Sequence, residues 1–252
     1  MPFSSNSTLI TAAYTVDLLA NGSADLIAGH DGESDVFVVA DGLVGDDTID
    51  NFERIDSLVT HKKIFDGNND GYIVFGANGV LDVDRYGSGN SKAGADQLTL
   101  TGSTAVLRYL GTKDGSDFVY ADAAVRLDLL AAHSNTIEGT VGNDSFDASQ
   151  ARNIYLYDTA LGINLGGDTI TGFGCGDYIV TTHQIYDGNG DGVINWGYND
   201  VLDLAAGEGA PSVTGPDTNP GGQIDFAGEV SSLTLDHTEV SGTSTYYFYT
   251  VA

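Results

Sequence analysis

The chain contains one segment twice, and this duplication constrains its fold more than any other feature. Residues 47–83 align with residues 168–204 without a gap, and half of the aligned positions are identical. Both copies begin with Asp-Thr-Ile, followed three residues after the isoleucine by a phenylalanine, and both continue to a loop rich in Asp, Asn and Gly. A sequence of 252 residues that repeats itself in this way predicts two homologous structural units.

Each copy contains the pattern D-G-N-x-D-G-x-I, which places oxygen donors at alternate positions. In the first copy the donors are Asp66, Asn68, Asp70 and the main-chain carbonyl of Tyr72. Calcium takes six to eight oxygen ligands at about 2.3–2.6 Å, so this spacing is typical of the first half of an EF-hand calcium loop. An ordinary Asn/Gly/Asp turn between strands is the alternative interpretation of one such loop alone. The matching donors in the second copy are Asp187, Asn189, Asp191 and the carbonyl of Val193.

Both loops lack the bidentate glutamate that closes an EF-hand site at position twelve, where the chain has Ala77 and Tyr198. Other residues must therefore complete the coordination shell. No amphipathic helix pattern flanks either loop, whereas residues 72–75 and 193–196 alternate as strands do, so an EF-hand domain is not expected. The matched candidates for the remaining ligands are Asn78 with Asn199 and Asp82 with Asp203, of which we favour the aspartates.

The composition points to a calcium-dependent all-β protein. Lys and Arg number 9 against 36 Asp and Glu, which gives a formal charge of −27 and makes nucleic acid an improbable partner. Self-repulsion of this size favours a protein that folds or assembles with bound cations. The 34 glycines, with many Thr, Tyr, Phe and Val residues, are typical of short strands joined by tight turns. We therefore predict two calcium-binding β units, each a β-sandwich or short β-roll, with few or no helices.

The predicted organisation is an N-terminal arm or first strand at residues 1–24, a first repeat at 25–130 and a second repeat at 131–252. Residues 125–132 fit either a strand or one short helix. Asp56 and Asp177, which match between the copies, fit calcium ligands or turn caps, with capping slightly favoured. The single cysteine, Cys175, excludes an intrachain disulfide and is expected to be a small buried residue.

Three Gly- and Asp-rich pieces, within residues 25–39, 113–119 and 141–147, resemble the nonapeptide of RTX proteins, a calcium-binding β-roll family exported by type I secretion. The resemblance implies an extracellular protein with an uncleaved C-terminal secretion signal, and residues 246–252 carry no charge. The N-terminal residues also lack the basic and apolar regions of a signal peptide. No tandem array of the nonapeptide is present, so a long β-roll is not expected. The metal-binding role of the nonapeptide aspartates therefore stays open for Asp31, Asp35, Asp117 and Asp144.

No motif predicts an enzyme. The five histidines do not form H-E-x-x-H, no serine lies in G-x-S-x-G, and no apolar run reaches the roughly 18 residues of a transmembrane helix. We therefore expect an extracellular, cell-surface structural protein that self-assembles with calcium into a surface layer, filament or matrix. Its expected partners are further copies of itself and cell-surface polysaccharide. The alternatives are a calcium-stabilised adhesin or carbohydrate-binding module, using the Tyr-rich surface or residues 207–222, and a calcium-dependent hydrolase.

Overall fold

The structure is a computed structural model that describes residues 14–18, 21–39, 45–83, 96–103, 105–113, 115–150, 152–196, 200–204, 221–228 and 230–252. The chain divides into two compact units, Met1–Ala124 and Val125–Ala252. Four sheets make up these units, and the described residues contain a single α-helix, so the prediction of an all-β fold with two similar units is confirmed. The boundary predicted between residues 130 and 131 falls within that helix.

The first unit winds between two sheets. Its strands are β1 (Tyr14–Leu18), β2 (Leu26–Ala28), β3 (Asp35–Val39), β4 (Asp46–Asp50), β5 (Ser57–Thr60), β6 (Tyr72–Val74), β7 (Leu81–Asp82), β8 (Gln97–Leu100), β9 (Val106–Lys113) and β10 (Asp117–Asp122). The orders are β1-β3-β5-β10-β9-β6 and β2-β4-β8-β7. Strands β1, β3 and β5 are parallel in one sheet, and β2, β4 and β8 are parallel in the other. The first five strands thus alternate between the sheets as a short parallel coil, and an antiparallel hairpin, β9–β10, extends one sheet.

The second unit repeats this topology strand for strand. It begins with α1 (Ala124–Ala132) and continues with β11 (Thr136–Glu138), β12 (Ser145–Asp147), β13 (Ile154–Tyr157), a 3-10 turn (Thr159–Leu161), β14 (Gly167–Thr171), β15 (Tyr178–Thr181), β16 (Val193–Asn195), β17 (Val201–Asp203), β18 (Gln223–Asp225), β19 (Ser232–Ser241) and β20 (Ser244–Val251). The orders are β11-β13-β15-β20-β19-β16 and β12-β14-β18-β17. The duplication seen in residues 47–83 and 168–204 therefore extends, in topology, over all the described strands of both units.

Apolar residues from both sheets fill the interior of each coil. In the first unit Phe37 of β3 packs on Phe52, with ring centroids 5.8 Å apart. Tyr155 of β13 packs in the same way on Phe173 in the second unit, at 6.4 Å. Four residues expected in the core from the repeat are all buried: Ile49, Phe52, Ile170 and Phe173. Burial of these large side chains is the main term that stabilises such a fold.

Two matched glycines bring successive coils into contact. Gly45 precedes β4 with φ +103°, and a Cβ added there would lie 2.3 Å from the carbonyl oxygen of Ser23. Gly166 precedes β14 with φ +94°, and its added Cβ would lie 1.9 Å from the carbonyl oxygen of Gly142. Both the left-handed φ and the close approach exclude a side chain, so only glycine fits at these two turns, which we call the corners of the coil.

Residues 125–132, which the sequence left open between strand and helix, belong to α1. Val125 and Leu129 pack on a buried face formed by Ile154, Leu156, Val180, Tyr246 and Phe248. The expectation for Cys175 was wrong, since its side chain is exposed. Cys175 lies in the tight turn between buried Phe173 and Asp177, where the chain reverses and an intervening side chain points outward. Most of the loop at 207–222 lies outside the described residues.

Candidate metal centre

The first calcium-like loop folds around the carboxylate of Asp66, between β5 and β6. One oxygen of Asp66 accepts the backbone N–H of Asn69 at 2.8 Å, and the other accepts that of Gly71 at 2.8 Å. The side-chain amide of Asn68 donates to Asp70 at 2.7 Å, and Asp70 in turn accepts the N–H of Tyr72 at 2.8 Å. One hydrogen-bonded loop therefore brings together Asp66, Asn68 and Asp70, as their spacing predicted.

The second loop has the same hydrogen bonds at the same positions. Asp187 accepts the N–H groups of Gly190 at 2.9 Å and Gly192 at 2.8 Å. Asn189 donates to Asp191 at 2.9 Å, and Val193 donates its N–H to Asp191 at 2.9 Å. The hydrogen bond from Gly192, supported by further backbone donors of the loop, lowers the pKa of Asp187. The loop thus favours an ionised carboxylate at its first position.

A buried tyrosine fixes the chain just before each loop. The N–H of Ile64 donates to the hydroxyl of Tyr120 in β10 at 2.8 Å, and the N–H of Ile185 donates to the hydroxyl of Tyr249 in β20 at 2.8 Å. After each loop, Ile73 and Ile194 are buried in the strands β6 and β16, as expected. The loops are therefore held at both ends by the core. The two tyrosines lie outside the gap-free repeat, so the sequence pattern alone does not reveal them.

The residues proposed to complete the shell lie in the second sheet of each unit. Asp82 is in β7, where its backbone pairs with Gln97, and Asp203 is in β17, paired with Gln223. Asp82 is half-buried and Asp203 is buried. Asn78 lies in an exposed turn after β6, and residues 197–199 lie outside the described part of the chain. The structure therefore brings together the first-half donors of each loop and leaves the closing ligands on separate strands.

The donors fit a hard cation. Each loop offers two carboxylates, one amide oxygen and one main-chain carbonyl, with no nitrogen or sulfur ligand among them. Oxygen-only sets of this kind suit Ca²⁺ or Mg²⁺ rather than zinc or copper, and the flexible coordination number of Ca²⁺ suits an open loop. Among the described residues, no three or more His, Cys, Asp or Glu side chains are grouped as a metal site. Water would therefore have to supply part of the shell.

The matched aspartates at the corners of the coil serve as caps. Asp56 accepts the N–H of Asp35 in the preceding coil at 2.8 Å and that of Glu53 at 2.7 Å. Asp177 likewise accepts the N–H of Asn153 at 2.8 Å and that of Gly174 at 3.0 Å. These bonds satisfy buried or half-buried backbone donors at the turns. The capping interpretation of Asp56 and Asp177 therefore describes the structure.

A second pair of corner aspartates caps the other sheet. Asp47 accepts the N–H of Asp25 at 2.8 Å, and Asp168 accepts the N–H of Asp144 at 2.9 Å. Burial raises the pKa of Asp168 to about 7 despite these donors, and burial raises the pKa of Asp56 to about 7 as well. Burial also raises the pKa of Asp47. These carboxyl groups therefore cap the backbone of the coil, and burial favours their protonated form.

The nonapeptide aspartates also have protein partners. Asp35 accepts the backbone and ring N–H of His30, at 2.5 and 2.9 Å, and Asp144 accepts the N–H of Thr140 at 2.5 Å. Asp31 accepts the side-chain amide of Asn51 at 2.7 Å, and Asp117 lies 2.9 Å from the Nδ1 atom of His61.

Comparison with known proteins adds no relative. No family model matches the chain, and neither a curated protein nor a solved structure is similar to it. Within the described residues, no helix is both long and apolar enough to cross a membrane.

Proposed function

We propose that this protein is an extracellular calcium-binding structural protein whose copies assemble, when calcium is present, into a surface layer, filament or matrix. The observation that carries the proposal is the identical hydrogen-bond network of the two loops. An ordinary turn does not need Asp, Asn and Asp at alternate positions. A bound cation needs oxygen ligands at those positions in both copies. In this proposal the ligands are Asp66, Asn68, Asp70 and Tyr72 with Asp187, Asn189, Asp191 and Val193, joined by Asp82 and Asp203.

The charge of the chain supports assembly through calcium. With a formal charge of −27, two copies repel each other unless cations lie between them. The loops are exposed and lack the closing glutamate, so a bound ion would keep positions open toward solvent. Sites with few charged ligands have dissociation constants of about 10⁻⁴–10⁻³ M, which suit extracellular calcium concentrations. This affinity range favours a protein that works outside the cell.

The coil supports a relationship to the RTX family and its type I export. Thr136 of β11 pairs with Ile154 of β13, which lies 18 residues later and therefore two nonapeptides along the chain. Alternation of parallel strands between two sheets is the arrangement that the resemblance implies. The next turn of the same unit pairs Ile154 with Tyr178, 24 residues later, and the first unit pairs Val36 with Ser57, 21 residues later, so the proposed relationship concerns a short and irregular coil.

The test is negative-stain electron microscopy of purified protein in EDTA and after addition of millimolar calcium, with a melting curve for each sample. We expect ordered polymers only with calcium. We also expect stabilisation of about 1.4–2.7 kcal/mol per site when calcium is at ten to a hundred times its dissociation constant. Asp66→Ala combined with Asp187→Ala should abolish both effects. A control that combines Glu33→Gln with Asp46→Asn removes two exposed charges outside the loops and should retain them.

Each other outcome has a defined meaning. If the double variant keeps wild-type calcium affinity and melting behaviour, the assignment of calcium to the loops is wrong. If calcium stabilises the protein but the particles stay monodisperse, the calcium sites stand and the structural role fails. A glycan-binding screen would then test the adhesin or carbohydrate-binding alternative.

A further inference from the structure

A partly open cavity of about 200 Å³ lies in the first unit, against strands β6 and β7. We call it the edge groove. Most of its wall is apolar and is formed by Ile64, Phe65, Ile73, Phe75, Val80 and Leu81. Concave sites with mainly apolar walls are the places where proteins bind apolar side chains and small molecules. The edge groove is therefore a candidate binding site that neither calcium-like loop uses.

Strand β6 borders the groove and is the last strand of its six-stranded sheet. On one side it pairs with β9, where the N–H of Tyr109 donates to the carbonyl of Gly71 at 2.8 Å. The N–H of Phe75 donates to the carbonyl of Ala105 at 3.1 Å. Because backbone groups alternate in direction along a strand, the N–H and C=O of Val74 point away from β9. Val74 is also 73% exposed, so this edge offers a donor, an acceptor and an apolar side chain.

The matched edge of the second unit is polar. Strand β16 has Asn195, which is exposed, at the position of Val74. The next residue, Trp196, matches Phe75, and its ring stacks on Phe226 with centroids 5.2 Å apart. The exposed apolar edge is therefore a feature of the first unit, and β16 provides a matched control for it.

The chain contains a segment whose chemistry fits the edge groove. Residues 1–13 precede β1 and lie outside the described part of the chain. Their sequence includes Leu9 and Ile10 next to threonine and alanine, and the β-branched residues among them favour an extended strand. A strand added beside β6 turns alternate side chains toward the groove, so either leucine or isoleucine would enter it.

Charge also favours contact between these two segments. The formal charge of −27 makes most surfaces of two copies repel each other. Residues 1–16 contain no Asp, Glu, Lys, Arg or His, and neither do residues 72–81, which include β6. Two copies can therefore approach at these segments with less repulsion than elsewhere.

The two segments belong to opposite edges of one sheet. Residues 1–13 lead into β1, which is the first strand in the order of the sheet that ends with β6. To reach the edge groove of its own copy, the segment would have to cross the whole sheet. When two copies lie edge to edge, β1 of one copy lies next to β6 of the other. A contact between two different surfaces can then repeat from copy to copy without closing, as a filament requires.

We propose that residues 1–13 of one copy add as a strand to β6 of a second copy, with Leu9 or Ile10 in the edge groove. Main-chain hydrogen bonds to Val74 provide the pairing, and the groove selects the side chain. Strand β6 directly follows the first calcium-like loop, so a cation that ordered the loop would also position this edge. The inference rests on the proposed assembly of copies, and it names the contact that holds them together.

The first test is fluorescence anisotropy with a labelled synthetic peptide of residues 1–13. The acceptor is the full chain with Leu9→Asp and Ile10→Asp, the arm variant, whose own segment no longer competes. We expect saturable binding in millimolar calcium. Val74→Pro, added to the acceptor, removes the edge N–H at a position where proline is tolerated, and should weaken binding about fivefold to tenfold. Asn195→Pro is the matched control and should leave binding unchanged. Absence of saturable binding overturns the proposal.

The second test is sedimentation velocity of the full chain in millimolar calcium and in EDTA. Wild type and Asn195→Pro should form polymers with calcium. The arm variant has an intact edge and Val74→Pro has an intact arm, so each alone should stay monomeric. An equimolar mixture of the two should form heterodimers and no longer species, because each copy then carries only one half of the contact.

The outcomes separate this inference from the proposed function. If both variants polymerise like wild type, the inference is wrong and assembly through another contact stands. If the peptide binds but wild type stays monomeric, the segment occupies its own groove, and both proposals are wrong. If polymers form equally in EDTA and are still lost in both variants, the inference stands and the calcium dependence fails.

A further probe keeps the proposal falsifiable if a melting curve shows that Val74→Pro does not fold. A peptide of residues 1–13 with Leu9→Asp and Ile10→Asp should not bind the arm variant. Equal binding of this peptide and the wild-type peptide would show that the groove does not receive the apolar side chains, and would overturn the proposal.

Discussion

The two units share a topology but satisfy their buried aspartates differently. Asp47 and Asp168 make the same bond to a backbone N–H of the preceding coil. The second oxygen of Asp168 accepts the hydroxyl of Tyr157 at 2.8 Å, whereas the second oxygen of Asp47 is buried without a hydrogen bond. Val39 in β3 occupies the position that Tyr157 occupies in β13. Val39 pairs with Thr60, and Tyr157 pairs with Thr181, which matches Thr60 in the repeat. Both units therefore share the bond from the aspartate to the backbone N–H, whereas only Asp168 also accepts a hydrogen bond from a tyrosine hydroxyl.

The same division holds elsewhere. The corner glycines, the calcium-like loops and the tyrosines that anchor the loops occur in both units, and each acts on the main chain. Among the described residues, the hydrogen bond between His133 and Glu239 and that between Tyr157 and Asp168 occur only in the second unit, and each joins two side chains. We infer that main-chain geometry is what this fold needs in every copy. Substitutions in matched pairs can test that inference.

The largest effect is expected at the corner glycines. Gly45→Ala and Gly166→Ala each place a Cβ within 2.3 Å of a backbone carbonyl oxygen at a left-handed φ, so each should destabilise its unit by about 3 kcal/mol or more. Urea unfolding measures the loss. Gly32→Ala is the control, because its φ is +74° and nothing lies within 4 Å, so it should cost only about 1 kcal/mol. A harmless Gly45→Ala beside a harmful Gly166→Ala would contradict the equivalence of the two corners.

The next effect is a fall in stability as the pH rises. The pKa of Asp56 and of Asp168 is about 7 in the fold against an ordinary 3.8, so the folded protein binds protons that the unfolded chain has lost. Their contribution is complete below pH 3.8 and is lost as the pH rises through about 7, at up to about 1.4 kcal/mol per pH unit for each group.

Urea unfolding in EDTA at about pH 5 and about pH 7.5 measures this slope for the calcium-free protein. Asp56→Asn should remove the contribution of the first unit, and Asp168→Asn that of the second. Stability that increases with pH over this range in the wild type would show that the corner carboxyls are ionised in the fold.

A smaller effect is expected at the loop anchors. Tyr120→Phe and Tyr249→Phe each leave a buried N–H, of Ile64 or Ile185, without its acceptor, which should cost about 1–2 kcal/mol. If the loops bind calcium as proposed, the affinity of the loop concerned should fall, as isothermal titration calorimetry would show. Tyr155→Phe is the matched control, because the Tyr155 hydroxyl is buried without a hydrogen bond and its removal should be neutral or stabilising. Equal losses in all three variants would mean that ring packing, and not the anchor, matters.

The sequence predicted those parts of the molecule that depend on close spacing. The donors of each loop lie within a few residues of one another, so Asp66, Asn68 and Asp70 could be grouped by their pattern alone. Ile49 and Phe52 could be assigned to the core because they recur as Ile170 and Phe173. Strand content followed from the many glycines and β-branched or aromatic residues.

Features that depend on distant contacts were not accessible in this way. Ile64 and Tyr120, or His133 and Glu239, are brought together only by the order of strands in the sheet. No local pattern distinguishes an aspartate that caps a backbone N–H from one that binds a cation, so Asp56 stayed open between these roles. Cys175 was misplaced because its type predicts burial, whereas the turn that holds it directs its side chain outward.

The parallel strands of each coil also bear on how fast the protein can fold. Strand β4 pairs Asp46 with Gln97, and β14 pairs Gly167 with Gln223, so each second sheet closes only across a long excursion of the chain. Such a high contact order slows folding, because the chain loses conformational entropy when the loop between the strands closes, before the strand pairing stabilises the fold. The hairpins β9–β10 and β19–β20 are local and can form early. Each calcium-like loop lies between the two strands that pair. A cation that ordered this loop would shorten the disordered segment between the strands, and would therefore increase the rate of folding as well as the stability of the folded state.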